Sequence, residues 1–336
     1  MITDIFQARY DRSSLVFFEF QTDGLQPFFI QCAHILEDLA PALGLDEAFF
    51  RNVHDRLARE FGVGRLIDGL PNYTYACGGY LVRPRGLTNE PYDEADVFLK
   101  RKFSLLELLF RAAEETVAAR EAAFVPPDRP RGLFRLTAPK AMTPSLESQR
   151  RALNAALTEL NQRLRNQRTG LAYHNGFLHL ADDALSTART TAPFWEIVAA
   201  PRWRVVDEEM KAAVEHLDRT DQDAVVHALC ALESAIKILS DDHGWSTGKE
   251  RGAANFIDNL AGERSSAFIA RWEADALRAL YRDIRNPRSH GGGSAPPAPL
   301  SAAQLKWVVE TAMGWIKSLV TREDRKPALT GYGSAM

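Results

Sequence analysis

The residues with the clearest chemical potential lie near the C-terminus, in the run Arg285-Asn286-Pro287-Arg288-Ser289-His290-Gly291-Gly292-Gly293. Arginine presents a planar fork of donors that matches phosphate oxygens. Histidine moves a proton near neutral pH. The asparagine amide, donor and acceptor at once, can orient either partner. Arg285, Asn286 and His290 therefore form a set suited to phosphate chemistry, with charge stabilisation from the arginine and acid–base work from the histidine. The plainer alternative is a helix C-terminus, where Arg and His favour the dipole and glycine ends the helix. Pro287 bears on both readings. It removes a donor and disfavours the α conformation at Asn286, so the helix is expected to end or kink there. In an unbroken helix Arg285 and His290 would stand about 140° apart. A break at Pro287 either lets them converge or spoils the set. Arg168 and His174 also have permitted spacing, but that pair spans Gly170, enters a hairpin and lacks the asparagine.

Other charged residues gather around this run. Arg264, Arg271, Arg278 and Arg285 recur every seven residues, and Arg282 adds to the same side. Seven residues return nearly to one face of a helix. The stripe, with Arg288 beyond it, either tracks a nucleic-acid backbone or is a solvated face paired with Asp275 and its neighbours. Glu233 and Lys237, four apart, read as a surface ion pair. Lys249 sits in a capping turn. Tyr73, Tyr75 and Tyr80 read as base-stacking rings or as strand packing. Trp195, Trp203, Trp272, Trp307 and Trp315 read as core or interface anchors. His34, His54, His179, His216 and His227 show no metal spacing, so no metal and no cofactor are expected.

The elements that must position these residues are mainly helical. Pro27 opens a stripe through Phe28, Cys32, Ile35, Leu36 and Leu39, and Phe49, Phe50, Val53, Leu57 and Phe61 form the next. The segment 72–82 (NYTYACGGYLV), aromatic with central glycines, predicts a short strand or hairpin. A helix is expected over 99–123, then a loop or linker over 126–144. Thr143-Pro144 starts a helix to about Arg168, and Asn175-Gly176 between apolar runs signals a hairpin. A Pro-containing break follows at 191–202. From Asp221 onward come four stripes: Val225/Leu229/Leu232/Ile236/Leu239; Phe256/Ile257/Leu260; Ile269/Trp272/Ala276/Leu280/Ile284; and Leu305/Val308/Val309/Ala312/Ile316/Leu319. Capping boxes at Thr247–Glu250 and Ser301–Gln304 open the second and fourth. Together they predict a four-helix bundle over about 221–321. The expected domains are a helical 1–140 of unknown role, a helix-plus-hairpin module 141–202 that either stands apart or is part of the first, and a bundle domain 203–325.

Bulk properties set limits. The chain has 336 residues, 46% apolar and 25% charged, which suits a globular protein. A net charge of −3 gives no global attraction to nucleic acid, so any such contact needs a local basic patch. Cys32, Cys77 and Cys230 show no disulfide framework or zinc spacing, which suits a reducing cytoplasm. No secretory leader and no membrane span are expected.

The bundle, with Arg-Asn-x-x-x-His between its third and fourth helices, resembles the HEPN superfamily of ribonucleases. More narrowly, ALCALESAIKILSDDHGWSTGKERGAANFIDNL followed by WEADALRALYRDIRNPRSHGGG looks like the C-terminal domain of bacterial abortive-infection proteins, over roughly the last third of the chain. The helix with GLAYHNGFLHL is similar, more weakly, to the end of N-terminal modules attached to such domains. The resemblance implies a metal-independent endoribonuclease in phage defence or a toxin. Arg285, Asn286 and His290 would be catalytic, and Glu233, Lys237 and Lys249 supporting. Arg271, Arg278, Arg282 and Arg288 would bind RNA. It also implies a homodimer with both motifs facing one cleft, and an N-terminal region that senses a phage-derived trigger or restrains the nuclease. The alternatives are a catalytically silent dimerisation or RNA-binding bundle, and a toxin held by a separate antitoxin.

Overall fold

The computed structural model describes residues 5–10, 22–67, 69–84, 95–124, 143–181, 190–289 and 297–324. They are mainly helical, with one two-stranded antiparallel sheet. No helix among them is long and apolar enough to cross a membrane. The chain divides into two compact units, residues 3–181 and residues 182 onward.

The first unit holds α1 (Phe6–Tyr10), α2 (Thr22–Leu43), α3 (Glu47–Phe61), α4 (Tyr73–Val82), α5 (Ala95–Ala123), α6 (Thr143–Asn166) and a hairpin of β1 (Leu171–His174) and β2 (Phe177–Leu180). Its core is aromatic. Phe103 of α5 meets the rings of Phe6, Phe28 and Phe29 at centroid distances of 5.1–5.9 Å. Each such buried ring contributes about 1.5–3 kcal/mol of transfer free energy. Asp46 caps α3 by accepting from the Phe49 N–H at 3.0 Å, and Gly62 ends it in a left-handed turn, φ 67°.

Segment 72–82 is a helix, not the expected strand or hairpin. Asn72 caps it by accepting from the Tyr75 N–H at 2.9 Å. Glu47 accepts from the first-turn donors of Tyr73 and Thr74. The buried residues Ala76, Cys77, Tyr80 and Leu81 follow helical spacing. Gly79 serves packing rather than a turn: a Cβ there would lie 2.9 Å from Leu70 Cδ1. The Asn175-Gly176 hairpin forms in the register Leu171↔Leu180 to His174↔Phe177, and both turn residues have positive φ, 47° and 75°. It is fastened to α5 through Glu107, whose side chain is fully buried. That carboxylate accepts from Arg9 at 3.1 Å, Arg111 at 2.6 Å and the Leu178 N–H at 2.8 Å. Arg9 also donates to the Leu178 carbonyl at 2.9 Å.

The second unit holds α7 (Ala192–Val198), a 3-10 turn at Pro201–Trp203, α8 (Arg204–Asp218), α9 (Asp223–Asp242), α10 (Ala253–Ala261) and α11 (Arg271–Ala279). A wide turn (Leu280–Arg285), α12 (Asn286–Ser289) and α13 (Ala302–Asp324) follow. Helix α9 is the centre, packed against α8, α10 and α13, with Val225, Leu229, Leu232, Ile236 and Leu239 all buried. The bundle therefore has a helix more than the four stripes predict: α8 buries Val206, Met210, Ala213 and Val214. The segment expected as a break, 191–202, contains α7, which packs on α8 and α13. Residues 192–203 thus belong with the bundle, while helix 143–166 and the hairpin pack with α2 and α5. The expected boundary at 140 lies outside the described residues, as does nearly all of the expected linker 126–144.

Two further expectations change. The Thr247–Glu250 pairing exists: Glu250 accepts from the Thr247 N–H and hydroxyl at 2.7 and 2.8 Å and from Asn259 at 2.7 Å. It closes a turn, however, and α10 begins only at Ala253. The Ser301–Gln304 box does open α13. The third stripe is rotated. Glu273, Ala274, Leu277, Leu280 and Tyr281 face inward, and Trp272 is 68% exposed. Glu273 can turn inward because Arg322 of α13 donates to it at 2.6 and 3.1 Å. Trp195 and Trp203 are core residues, whereas Trp307 is 55% exposed.

Candidate functional site

Helix α9 presents His227, Cys230, Glu233 and Lys237 at intervals of three, three and four residues, which share one face. The π-type turn Leu280–Arg285 is set against that face. The Asn286 N–H bonds the Tyr281 carbonyl, five residues back. Pro287 supplies the reason. Its ring would clash with the carbonyl four residues earlier in a regular helix, and a widened turn relieves that contact. The helix therefore continues through Pro287 to Ser289 instead of ending there. Such turns recur at functional sites.

Tyr281 is buried and donates to the Leu229 carbonyl of α9 at 3.2 Å. Arg285, four residues on, reaches the same helix. Its Nη2 lies 3.5 Å from Cys230 Sγ and 3.5 Å from Glu233 Oε2. Glu233 Oε1 is 2.7 Å from Lys237 Nζ, which itself lies 5.5 Å from the Phe256 ring centre. One carboxylate is thus shared between two cations. Burial opposes the charge on Arg285, but Cys230, Glu233 and Tyr281 outweigh it and raise its pKa above the ordinary value. Burial, aided by the Glu233 charge, pushes the Tyr281 hydroxyl well up, so it stays a donor. The Arg285 Nε is buried with no hydrogen-bond acceptor among the described residues.

The structure brings Glu233, Lys237 and Arg285 together. Asn286 is exposed beside them. His290 and the glycine run 291–293 lie outside the described residues. Lys249 is exposed in the turn before α10, its N–H bonded to Thr247 at 3.3 Å, and none of its described contacts reaches Arg285.

The arginine stripe is broken. Arg264 lies in a 3-10 turn, separated from α11 by Ser266 and Ala267 in left-handed conformations, φ 55° and 51°. The wide turn shifts the register between Arg278 and Arg285. Arg271 is exposed at the start of α11. Arg278 pairs with Asp275 at 2.7 Å and with Asp258. Arg282 pairs with Asp283 at 2.7 Å. Arg288 donates to the carbonyls of Ile284 at 2.9 Å and Ala298 at 2.8 Å, so it fastens backbone on both sides of the motif.

One group has no signal in the sequence spacing. The rings of His216 (α8) and His227 (α9) stack with centroids 5.1 Å apart. His216 Nδ1 lies 2.8 Å from Asp221 and His227 Nδ1 2.8 Å from Glu209. Ligand atoms of His216, Asp221 and Asp223 fall within 4.8 Å of one another, so these three could hold a cation. Asp221 already has a structural role, accepting from the Asp223 N–H at the start of α9.

Comparison with known proteins finds no matching family model, no similar curated protein and no similar solved structure.

Proposed function

We propose that the second unit is a metal-independent endoribonuclease of the HEPN kind, acting in the cytoplasm in phage defence or as a toxin. The observation that carries the reading is Arg285. Its guanidinium is held from one side by Glu233 and Cys230 of α9 and keeps an unaccepted Nε–H. The Arg285 side chain as a whole is 24% exposed, which leaves part of its fork open to a phosphate oxygen.

In this reading the ribose 2′-oxygen attacks the adjacent phosphorus as a base takes its proton. The bond from phosphorus to the 5′-oxygen breaks, and an acid protonates that oxygen. Arg285 stabilises charge on the non-bridging oxygens, and Asn286 holds His290 or the phosphate. His290 makes one of the two proton transfers. A second copy of the chain supplies the other, so the acting form is a homodimer. The first unit senses the trigger or restrains the nuclease.

The test is cleavage of labelled RNA by the purified full chain. Arg285→Ala and His290→Ala are each expected to abolish cleavage and any toxicity to the host cell while the fold persists. Wild-type cleavage by either variant defeats the reading. Sedimentation at micromolar concentration checks the dimer, and a strictly monomeric, active chain removes that part.

A second reading is a silent dimerisation or RNA-binding bundle, and its dimerisation form has its own support: Arg278 and Arg282 are neutralised by Asp258, Asp275 and Asp283. RNA binding without cleavage favours it. Toxicity of the chain expressed alone, relieved by a separate protein, marks a toxin with its antitoxin.

A further inference from the structure

The first unit carries a surface the nuclease reading does not use. Helix α6 buries Leu153, Ala156, Leu160 and Leu164 and turns its opposite side outward. On that side Arg151, Asn154, Thr158, Gln162 and Arg165 are exposed. At about 100° per residue they fall on one stripe opposite the buried leucines. From Arg151 to Arg165 the stripe is about 21 Å long. Arg168, also exposed, extends it past the helix end.

Its chemistry is one-sided. Residues 143–168 contain five arginines and two glutamates in a chain of net charge −3. Glu159 is engaged by Arg163 at 2.7 Å. Arg150 is engaged by Glu121 at its Nε, 2.8 Å. Arg151, Arg165 and Arg168 have no carboxylate partner among the described residues, and Arg165 donates only to Gln162, at 2.8 Å. Arg168 has φ 51°, at a helix end where glycine is the usual occupant. The Arg168 backbone thus takes a conformation that a residue with a side chain disfavours. All the cations are arginines and the neutral groups between them are amides and a hydroxyl, the side chains that contact phosphate and sugar.

We propose that this face of α6 binds the phosphate backbone of single-stranded RNA. Arg151 and Arg165, about 21 Å apart along the helix, with Arg168 beyond the helix end, match a chain of phosphates in charge, and the intervening amides donate to sugar oxygens. The surface is independent of Arg285 and of cleavage.

The experiment uses the full chain and a fluorescein-labelled single-stranded 2′-O-methyl RNA, which cannot be cut through its 2′-oxygen. Binding is read by anisotropy from about 50 to 200 mM salt. The variant combines Arg151→Gln, Arg165→Gln and Arg168→Asn, all at exposed positions. Its affinity at the lowest salt is expected to fall at least tenfold, and the log–log salt slope to become shallower by about two, at ~0.7 per phosphate contact. Arg59→Gln, at an exposed position of α3, is expected to bind like wild type. Unchanged affinity and slope in the triple variant, with an unchanged melting temperature, overturn the proposal. So does tighter binding of a polyglutamate peptide than of RNA, which assigns the face to an acidic protein. A chain that binds through α6 but never cleaves RNA sustains this proposal and sinks the nuclease reading.

Discussion

Arg285 and Glu233 meet across two helices, Nη2 to Oε2 at 3.5 Å, although 52 residues separate them in the chain. The pair depends on the wide turn before Pro287, which keeps Arg285 on the side of its helix that already carries Tyr281 to α9. Glu233 is therefore expected to act through Arg285 rather than on RNA directly. Glu233→Gln should lower cleavage between about tenfold and a hundredfold by misplacing the guanidinium, mainly in kcat. The stability cost should be about 1–3 kcal/mol. Steady-state kinetics alongside thermal melting check this, and unchanged kcat with a large loss of stability would assign Glu233 a purely structural role.

Cleavage is expected to need no divalent ion and to leave 2′,3′-cyclic phosphate ends. The carboxylate nearest Arg285 among the described residues, Glu233, is shared by Lys237 and Arg285. That leaves little negative charge to strip Mg²⁺ of water. The nucleophile built into the substrate is then the 2′-hydroxyl, and DNA should resist. Matched RNA and DNA strands in excess EDTA, with product ends read by mass spectrometry, decide it. Abolition by EDTA or 5′-phosphate products would show a different mechanism.

Glu107 should be the most sensitive position of the first unit. Removing it leaves Arg9 buried without its carboxylate, a loss of about 3–5 kcal/mol. All six tryptophans lie at or beyond position 195, so their fluorescence reports the second unit, while far-UV circular dichroism reports both. Glu107→Ala is expected to lower the denaturation midpoint of part of the dichroism signal and leave the tryptophan transition in place. Coincident shifts of both would mean that the units unfold together.

Lys102 gives the first unit a pH dependence. Burial, with a smaller push from Arg83, lowers its pKa to about 7. Its ammonium donates to the Arg83 carbonyl at 2.7 Å and to Gln26 at 3.3 Å, between the rings of Phe29 and Phe98. Above pH ~7 the unfolded chain, with an ordinary lysine near 10.4, binds more protons than the folded one. Stability should therefore rise with pH from about 7, by at most ~1.4 kcal/mol per unit. Above pH ~8.5 the thiols of Cys32 and Cys77, pushed up by burial, oppose the rise. Lys102→Met should flatten the slope between about pH 7 and 8.5 in urea titrations, and an unchanged slope would place the effect elsewhere.

Where one face of an element meets one core, its residues specify it locally. The stripes of α9 and α13, the Ser301 box and the Asn175-Gly176 turn are of this kind, because apolar period, caps and turn residues act within a few positions. Three features needed the tertiary structure. Segment 72–82 is a helix because Glu47, from another helix, satisfies its first donors and Leu70 fills the space at Gly79. The inward face of α11 is set by Arg322, which makes burial of Glu273 tolerable and leaves Trp272 outside. The arginine repeat reads as one stripe only if the helix is unbroken, and the left-handed residues 266 and 267 and the turn before Pro287 interrupt it. The sequence by itself determined which residues could do phosphate chemistry. Which cations meet a carboxylate, and which keep a donor unmet, was decided by contacts between residues far apart in the chain, since electrostatic partners are chosen by distance in space and spacing along the chain does not encode it.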